Sequence, residues 1–295
     1  MNKKKLLKIT ALVVALALTA GLVLFANALV GNPVSKYLAK SGAEKHLEAN
    51  YSDKDYCIDR VMYDFKSSCY HAFIESPSSP DSSFSLTIGF DGKIKWDNYE
   101  DRVEGRFNTS QRINNEYRNA VDKVFESQTF PYKTHISFGD ILFVEDVNLD
   151  QPYIPDYAIR MSSLELDGYY DIGELGKQAG ELVVYINDGD ISVKKLSEIL
   201  LVIKDVMNRS GVEFKVIDCV LEPPKPEDGY KEPGGWSGED RIEVEAFPCD
   251  DIYGEGIEER VAKAVEAKRA LDEIRDYEKQ QEIDAYEKAL TEQNG

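Results

Sequence analysis

The chain has 295 residues, 42% of them apolar, with 54 Asp and Glu against 35 Lys and Arg, a formal charge of −19. That length and apolar share suffice for one large domain or two ordinary ones with real cores. The acid surplus excludes a nucleic-acid binder, which needs Lys and Arg gathered against phosphate, and disfavours adhesion to anionic lipid or anionic wall polymer.

The charge is unevenly placed. Lys3, Lys4, Lys5 and Lys8 are the only charges in the first 30 residues; without them 31 cations face 54 anions. An uncharged run, Ile9 to Val30, follows them and ends at Gly31-Asn32-Pro33. Twenty-two residues at 1.5 Å each reach about 33 Å, so the sequence predicts a transmembrane anchor that partners the bilayer through residues 9–30. The lysines would stay cytoplasmic and the bulk of the chain extracytoplasmic, a single-pass signal-anchor protein of the cell membrane. A cleaved signal peptide is the competing reading, with Ala26-Asn27-Ala28 as its site and Leu29 as the new terminus. The run exceeds the roughly 7–15 residues of an h-region, which favours the anchor.

Val34 to Tyr51 reads as a helix, with Ala39, Ala43, Leu47 and Tyr51 at i+4 spacing and Gly42 weakening it. Tyr56–Phe65 and Cys69–Glu75 read as two strands around a Lys66-Ser67-Ser68 turn, which sets Cys69 opposite Asp64. Cys57 then lies some 20 Å from Cys69, well beyond disulfide reach. Ser76-Pro77-Ser78-Ser79-Pro80-Asp81 is a loop by composition, Ser83–Phe90 a third strand, and Asp91-Gly92 a tight turn into Lys93–Trp96. Asn108-Thr109-Ser110-Gln111 has capping-box character and opens a helix to about Phe125, with Ile113, Tyr117, Ala120, Val121, Val124 and Phe125 on one side.

Ile136–Glu145 and Tyr157–Leu166 are expected strands, and Asp171 caps a short helix ending at Gly180. Leu182–Ile186 is an apolar strand. Ser192 caps a helix with Leu196, Ile199, Leu200, Ile203, Val206 and Met207 in one stripe, closed by Gly211. Phe214–Leu221 completes a β-α-β unit, expected to be parallel and buried on both faces. A Pro/Gly/acid-rich loop, 222–240, leads to a strand near Arg241–Phe247. From Gly256 the chain reads as helix, with Val261, Val265, Leu271 and Ile274 covering the second unit. Cys219 and Cys249 flank that loop; a bridge between them is allowed by sequence, and buried free thiols are the default. The fold class is α+β: the anchor (1–32), a helix/antiparallel-meander/helix unit (33–130), a mixed α/β unit with one crossover (131–260), and a charged C-terminal helix (261–295).

In order, Gly31-Asn32-Pro33-Val34-Ser35-Lys36, Tyr63-Asp64-Phe65-Lys66, the Ser76–Asp81 segment, Asn108-Thr109, Leu196 to Val206 and Phe214 to Glu222 resemble the YfjL-like proteins of Gram-positive bacteria. The resemblance spans nearly everything up to about Glu259. It implies a single-pass exported protein in two units and transfers no catalytic residue.

Motifs for chemistry are sparse. Ser192-Val193-Lys194-Lys195 matches S-x-x-K, but helix capping needs a serine there anyway and no S-D-N or K-T-G partner follows. G-x-S-x-G, H-E-x-x-H and the P-loop are absent. Asn187-Asp188-Gly189-Asp190 lacks calcium-loop spacing, and no C-x-x-C joins His46, His71 or His135 into a metal site. Tyr169-Tyr170 and Trp236 offer stacking surfaces, although aromatics in strands more often form core. His71 has no spaced catalytic partner. No catalytic, cofactor-binding or metal residue is therefore assigned, and no cofactor is expected. The expected function is a membrane-anchored extracytoplasmic binding or interaction protein with a protein or cell-envelope partner. The alternative is a cell-envelope hydrolase using acids of the 222–259 segment, among them Glu239-Asp240, Asp250-Asp251 and Glu258-Glu259.

Overall fold

The computed structural model describes residues 3–146, 151, 154–224 and 241–293. It is a mixed α+β chain that divides into two compact units: residues 1–110 with 161–168, and residues 111–160 with 169–295.

Helix α1 spans Lys3–Val30. The anchor expected over residues 9–30 is not supported: among the described residues, no helix is long and apolar enough to cross a membrane. α1 takes the lysines into the helix instead of leaving them as a flank. The single-pass membrane localisation, the signal-anchor reading and the inside–outside topology rested on that span and fall with it.

α1 ends at Gly31, whose φ of +70° suits glycine. Asn32 caps the next helix, α2 (Pro33–Asn50), by accepting from the Ser35 N–H at 2.8 Å, with Pro33 in the first turn. The Tyr70 hydroxyl accepts the Asn32 N–H at 2.9 Å and donates to the Asn32 carbonyl at 3.0 Å. The antiparallel meander that follows is β1 (Cys57–Asp64), β2 (Cys69–Ser76), β3 (Ser79–Ile88) and β4 (Ile94–Asp97), in spatial order β1-β2-β3-β4. Its register sets Asp64 opposite Cys69, as the turn composition implied.

The Ser76–Asp81 segment is tighter than its composition suggested. Pro77 and Ser78 form the turn, and Ser79 already pairs with Ser76. The Asp55 carboxylate fastens this corner, accepting from the Ser76 hydroxyl at 2.5 Å and the Ser78 N–H at 3.1 Å. Alternate side chains of the sheet (Val61, Tyr70, Ala72, Ile74, Phe84, Leu86, Ile88) pack with Ala39 and Ala43 of α2. The small residues let the helix approach closely. A Cβ at Gly42 would lie 2.0 Å from the carbonyl oxygen of Gly92, in the β3–β4 turn.

After β4 a π-helical turn, Glu100–Glu104, precedes α3 (Phe107–Phe125). The expected capping box is not formed. Asn108 sits inside the helix and donates instead to the Asp81 and Ser83 carbonyls, at 2.8 and 2.6 Å. Further on, Asp81 and Asp167 exchange backbone-to-carboxylate bonds, each 3.0 Å.

The second unit holds β5 (Thr134–Ile141), β8 (Gly180–Asn187), β9 (Val216–Glu222) and β10 (Ile242–Pro248) in spatial order β10-β9-β8-β5. A small parallel pair, β6 (Phe143–Val144) and β7 (Ile159–Arg160), stands apart; the expected strand over Tyr157–Leu166 is thus two residues followed by a 3₁₀ turn, Met161–Ser163. Asp171 caps α4 (Ile172–Ala179), accepting from the Gly173 and Glu174 N–H groups. β8 and β9 are parallel around α5 (Val193–Arg209), which Ser192 caps and Gly211 (φ +68°) closes. The whole apolar stripe of α5 is buried. β8, however, is buried on alternate residues only, so the crossover pair is not covered equally on both faces. α6 (Ile257–Gln293) buries Val261 and Val265, while Leu271 and Ile274 are exposed, so its apolar burial ends earlier than the sequence suggested and the hold on β10 passes to Lys268 and Arg275, both paired with Glu245. All four cysteines are free thiols. Cys219 faces Val244 in the ladder, and the Cys249 N–H bonds the Lys215 carbonyl, which leaves the two thiols at separate levels of the sheet.

Candidate functional site

Strand alternation gives the meander two faces: α2 covers one, and the other carries a different set of residues. Across all four strands the register lines up Met62, His71, Thr87 and Trp96. Met62 is 53% and Trp96 59% exposed. His71 lies between them, its Nδ1 3.2 Å from the Thr87 hydroxyl and its Nε2 4.0 Å from Asp64. The neighbouring row is Arg60, Phe73 and Ser85. The Arg60 guanidinium stands 4.5 Å over the Phe73 ring and pairs with Asp59 at 2.6 Å. The Ser85 N–H donates to Asn98 Oδ1 at 2.7 Å, holding the chain beyond β4 against this row.

A cavity of about 280 Å³ opens here, lined in part by Arg60, Phe73, Ser85, Asn98, Arg102 and Asn108. Arg102 lies 4.3 Å over the Phe107 ring, and no carboxylate pairs with it among the described residues. It comes from the π-helical turn, whose extra residue per turn re-aims a side chain, a feature often met at functional sites. The surface thus combines exposed Met and Trp, two arginines on aromatic faces, and hydroxyls held by neighbouring amides. Sequence reasoning placed His71 and Trp96 on strands but missed that they share a face; the signal was the alternation of β1 to β4, which needs the register before it can be read.

Three polar clusters elsewhere are internally satisfied. In the first unit, Asp97 Oδ2 lies 2.7 Å from His46 Nε2 and accepts from the Tyr51 hydroxyl at 2.8 Å, while Oδ1 accepts the Tyr99 N–H at 2.9 Å. Burial, with Asp97 next, raises the Tyr51 phenol above its ordinary value, so it serves as a donor. Rings of Tyr56, Phe84 and Tyr99 surround it. This cluster fastens α2 to β4 and presents no nucleophile.

In the second unit, His135 Nε2 pairs with Glu222 at 3.0 Å, and Asn187 donates to the Pro223 carbonyl at 3.1 Å. Glu222 is buried, so this pairing is structural before it is anything else. Nearby, the Ser192 hydroxyl accepts the Lys195 N–H, and Lys195 Nζ pairs with Asp188 at 3.3 Å under the Tyr132 ring. Burial pulls the Lys195 amine down, but Asp188 and Tyr132 together outweigh it and hold the amine above its ordinary value. That is the wrong direction for a base activating Ser192. Asp188 and Asp190 shape the turn before α5, the Asp188 carboxylate accepting the Asp190 N–H at 3.0 Å.

Among the described residues of the 222–259 segment, Glu243 and Glu245 share Lys268, at 2.9 and 3.3 Å, and the acids that the sequence singled out are not brought together. Glu222 is buried against His135, the Asp250 side chain is 90% exposed, Glu258 is exposed, and Glu259 pairs with Lys263 at 2.9 Å. Glu239-Asp240 and Trp236 lie outside the described residues. Tyr169 is almost fully exposed and lines a shallow surface groove. Among the described residues, no group of three or more His, Cys, Asp and Glu could hold a metal ion. Burial pushes the Cys219 thiol up to about 12, which makes it inert.

The fold and this surface define a two-unit α+β protein with an open sheet face in its first unit. Residues 3–98 match the YfjL-like N-terminal domain and residues 116–262 the YfjL-like C-terminal domain. The chain belongs to the YfjL-like family. No curated protein matches it. Among solved structures, a DUF5037 family protein from Ruminococcus gnavus ATCC 29149, determined at 2.55 Å, is similar over 62% of this chain and 74% of its own, at 12% identity and a TM-score of 0.20. A score that low supports no conclusion about fold or function.

Proposed function

We propose that this protein is a binding or interaction module without catalytic activity, and that the uncovered face of the meander receives a protein partner. The observation that carries the reading is the row Met62–His71–Thr87–Trp96, with its two ends more than half exposed. Arg60, Phe73 and Arg102 adjoin it. Met, Trp, Phe and Arg are the residues that protein interfaces concentrate, and Trp and Arg are their usual energetic anchors. Charges of both signs border the face, Asp59 and Glu75 beside the arginines, which suits a protein surface better than a polyanion.

Oxidative footprinting tests this by comparing the chain inside the cells that make it with the purified chain. Met62 and Trp96 are expected to label less in cells, while Phe65 and Phe90, exposed elsewhere in the same unit, label equally in both. Equal labelling of all four residues would refute the proposal.

A further inference from the structure

Lys95 Nζ lies 3.2 Å from Cys69 Sγ. Cys69 opens β2 and is only 4% exposed, and its thiol donates to the Ser67 carbonyl at 3.3 Å. The S–H proton is therefore turned away and a sulfur lone pair faces the amine. Lys95 belongs to β4, so its side chain crosses the end of β3 to reach Cys69. It crosses at Gly89. A Cβ there would sit 2.8 Å from Asp91 Oδ1 and 3.3 Å from Lys95 Cε, so the missing side chain leaves room for both the turn carboxylate and the path of the lysine. No carboxylate pairs with Lys95 among the described residues. The other thiols differ: Cys57 is exposed and points to the Glu75 carbonyl, Cys219 is fully buried, and at Cys249 the nearby Lys204 amine bonds the backbone oxygen.

We propose that Cys69 and Lys95 form a redox-modification site, which a peroxide closes into a covalent bridge with one oxygen atom between Sγ and Nζ. At 3.2 Å the amine and the thiol sulfur are in hydrogen-bond contact, the approach from which one oxygen can be inserted between them after a small inward shift of the flexible lysine. In the first step the thiol reduces one hydrogen peroxide to water and becomes a sulfenic acid. In the second, the unprotonated amine attacks another peroxide, forming N–OH and releasing water. The hydroxylamine oxygen then attacks the sulfenic sulfur, and the displaced hydroxide leaves as water with the O–H proton. The sum is one S–H and one N–H lost, one oxygen gained, and two peroxides reduced with three waters formed. A thiol reductant attacks the sulfur and breaks the S–O bond, leaving Lys95 as its hydroxylamine and Cys69 as a mixed disulfide, which a second thiol reduces to the free Cys69 thiol. The bridge ties β2 to β4 across β3, locking the hairpin whose β4 carries Trp96.

The experiment treats the purified full chain with hydrogen peroxide, digests it with trypsin and weighs the peptides. The expected product is peptide 67–93, which holds Cys69, joined to 94–102, in which the modified Lys95 is no longer cut. Its mass is the sum of the two peptides plus one oxygen less two hydrogens, and the link is lost on thiol reduction. Cys69→Ser and Lys95→Arg abolish it. Gly89→Ala retains both reactive groups and lowers the linked fraction several-fold by deflecting the lysine. Two results overturn the proposal: Cys69 oxidised with cleavage after Lys95 intact in a chain of unchanged circular dichroism, or a linked mass lacking the added oxygen.

Discussion

Gly42→Ala sets two known effects against each other. On helix propensity alone, alanine in the interior of α2 is better than glycine by about 1 kcal/mol. The packing says the opposite. The new Cβ would lie 2.0 Å from the Gly92 carbonyl oxygen and 3.1 Å from its carbon. That oxygen cannot swing aside as a side chain would. It belongs to a turn held by Gly92 N–H to Gly89 O and Gly89 N–H to Lys93 O, 3.0 and 2.9 Å, and Gly92 itself holds φ +81°. Overpacking typically costs ~1–3 kcal/mol, and a fixed backbone neighbour puts this site at the upper end. The net expectation is a loss of about 2 kcal/mol in the first unit, a large part of the stability of an ordinary domain. Urea denaturation reads it directly, followed by Trp96 emission in a Trp236→Phe background so that one tryptophan reports. A midpoint equal to or above that of the parent would refute the packing argument and leave propensity as the dominant effect.

Burial first, with Glu245 and Glu243 adding to it, raises the Asp218 carboxyl above its ordinary value, against the opposing pull of the Ala246 N–H and Lys268. A carboxyl with a higher pKa folded than unfolded makes the native state bind more protons, so this group favours folding as pH falls and opposes it at neutral pH. Asp218→Asn should therefore raise the melting temperature at pH 7, with the gain shrinking below the carboxylate range; an equal gain at both pH values would contradict the assignment. His135→Ala should cost about 1–3 kcal/mol, since it leaves the buried Glu222 side chain with only the longer 3.4 Å bond from Asn187, and His135→Ala/Glu222→Gln should recover part of it in the same denaturation assay. Ser192→Ala should cost about 1 kcal/mol as a lost helix cap, while Ser192→Asp stays near the parent. A serine nucleophile would respond differently: an acyl-serine adduct on Ser192 with a reactive ester would show that capping is not its whole role.

Much of the fold is carried by local patterns. The turn at Lys66-Ser67-Ser68 is enough to set Asp64 against Cys69, and the α5 stripe with its Ser192 and Gly211 ends is read residue by residue. Other features depend on partners distant in sequence. Gly42 looks like a helix defect until Gly92 is placed beside it. Asn108 has capping chemistry, but the carbonyls of Asp81 and Ser83 claim its amide first. Tyr157–Leu166 has strand composition, yet only Ile159 and Arg160 find a pairing strand. The apolar run after Lys8 read as a membrane span by length and hydropathy, and the structure does not support that reading. The candidate site was hidden for a different reason. Met62, His71, Thr87 and Trp96 come from four strands, and none of them is unusual until the register puts them in one line.

The Tyr70 hydroxyl holds both backbone groups of Asn32, the residue joining α1 to α2. It does so from β2, an interior strand of the meander. A displacement of α1 is therefore shared between the end of α2 and an interior strand of the sheet, where ladder bonds on both sides resist it. A Cβ at Gly31 would press on the same hydroxyl at 2.6 Å, so the coupling has no room for slack. Mechanically, the joint is a rivet between α1 and the sheet.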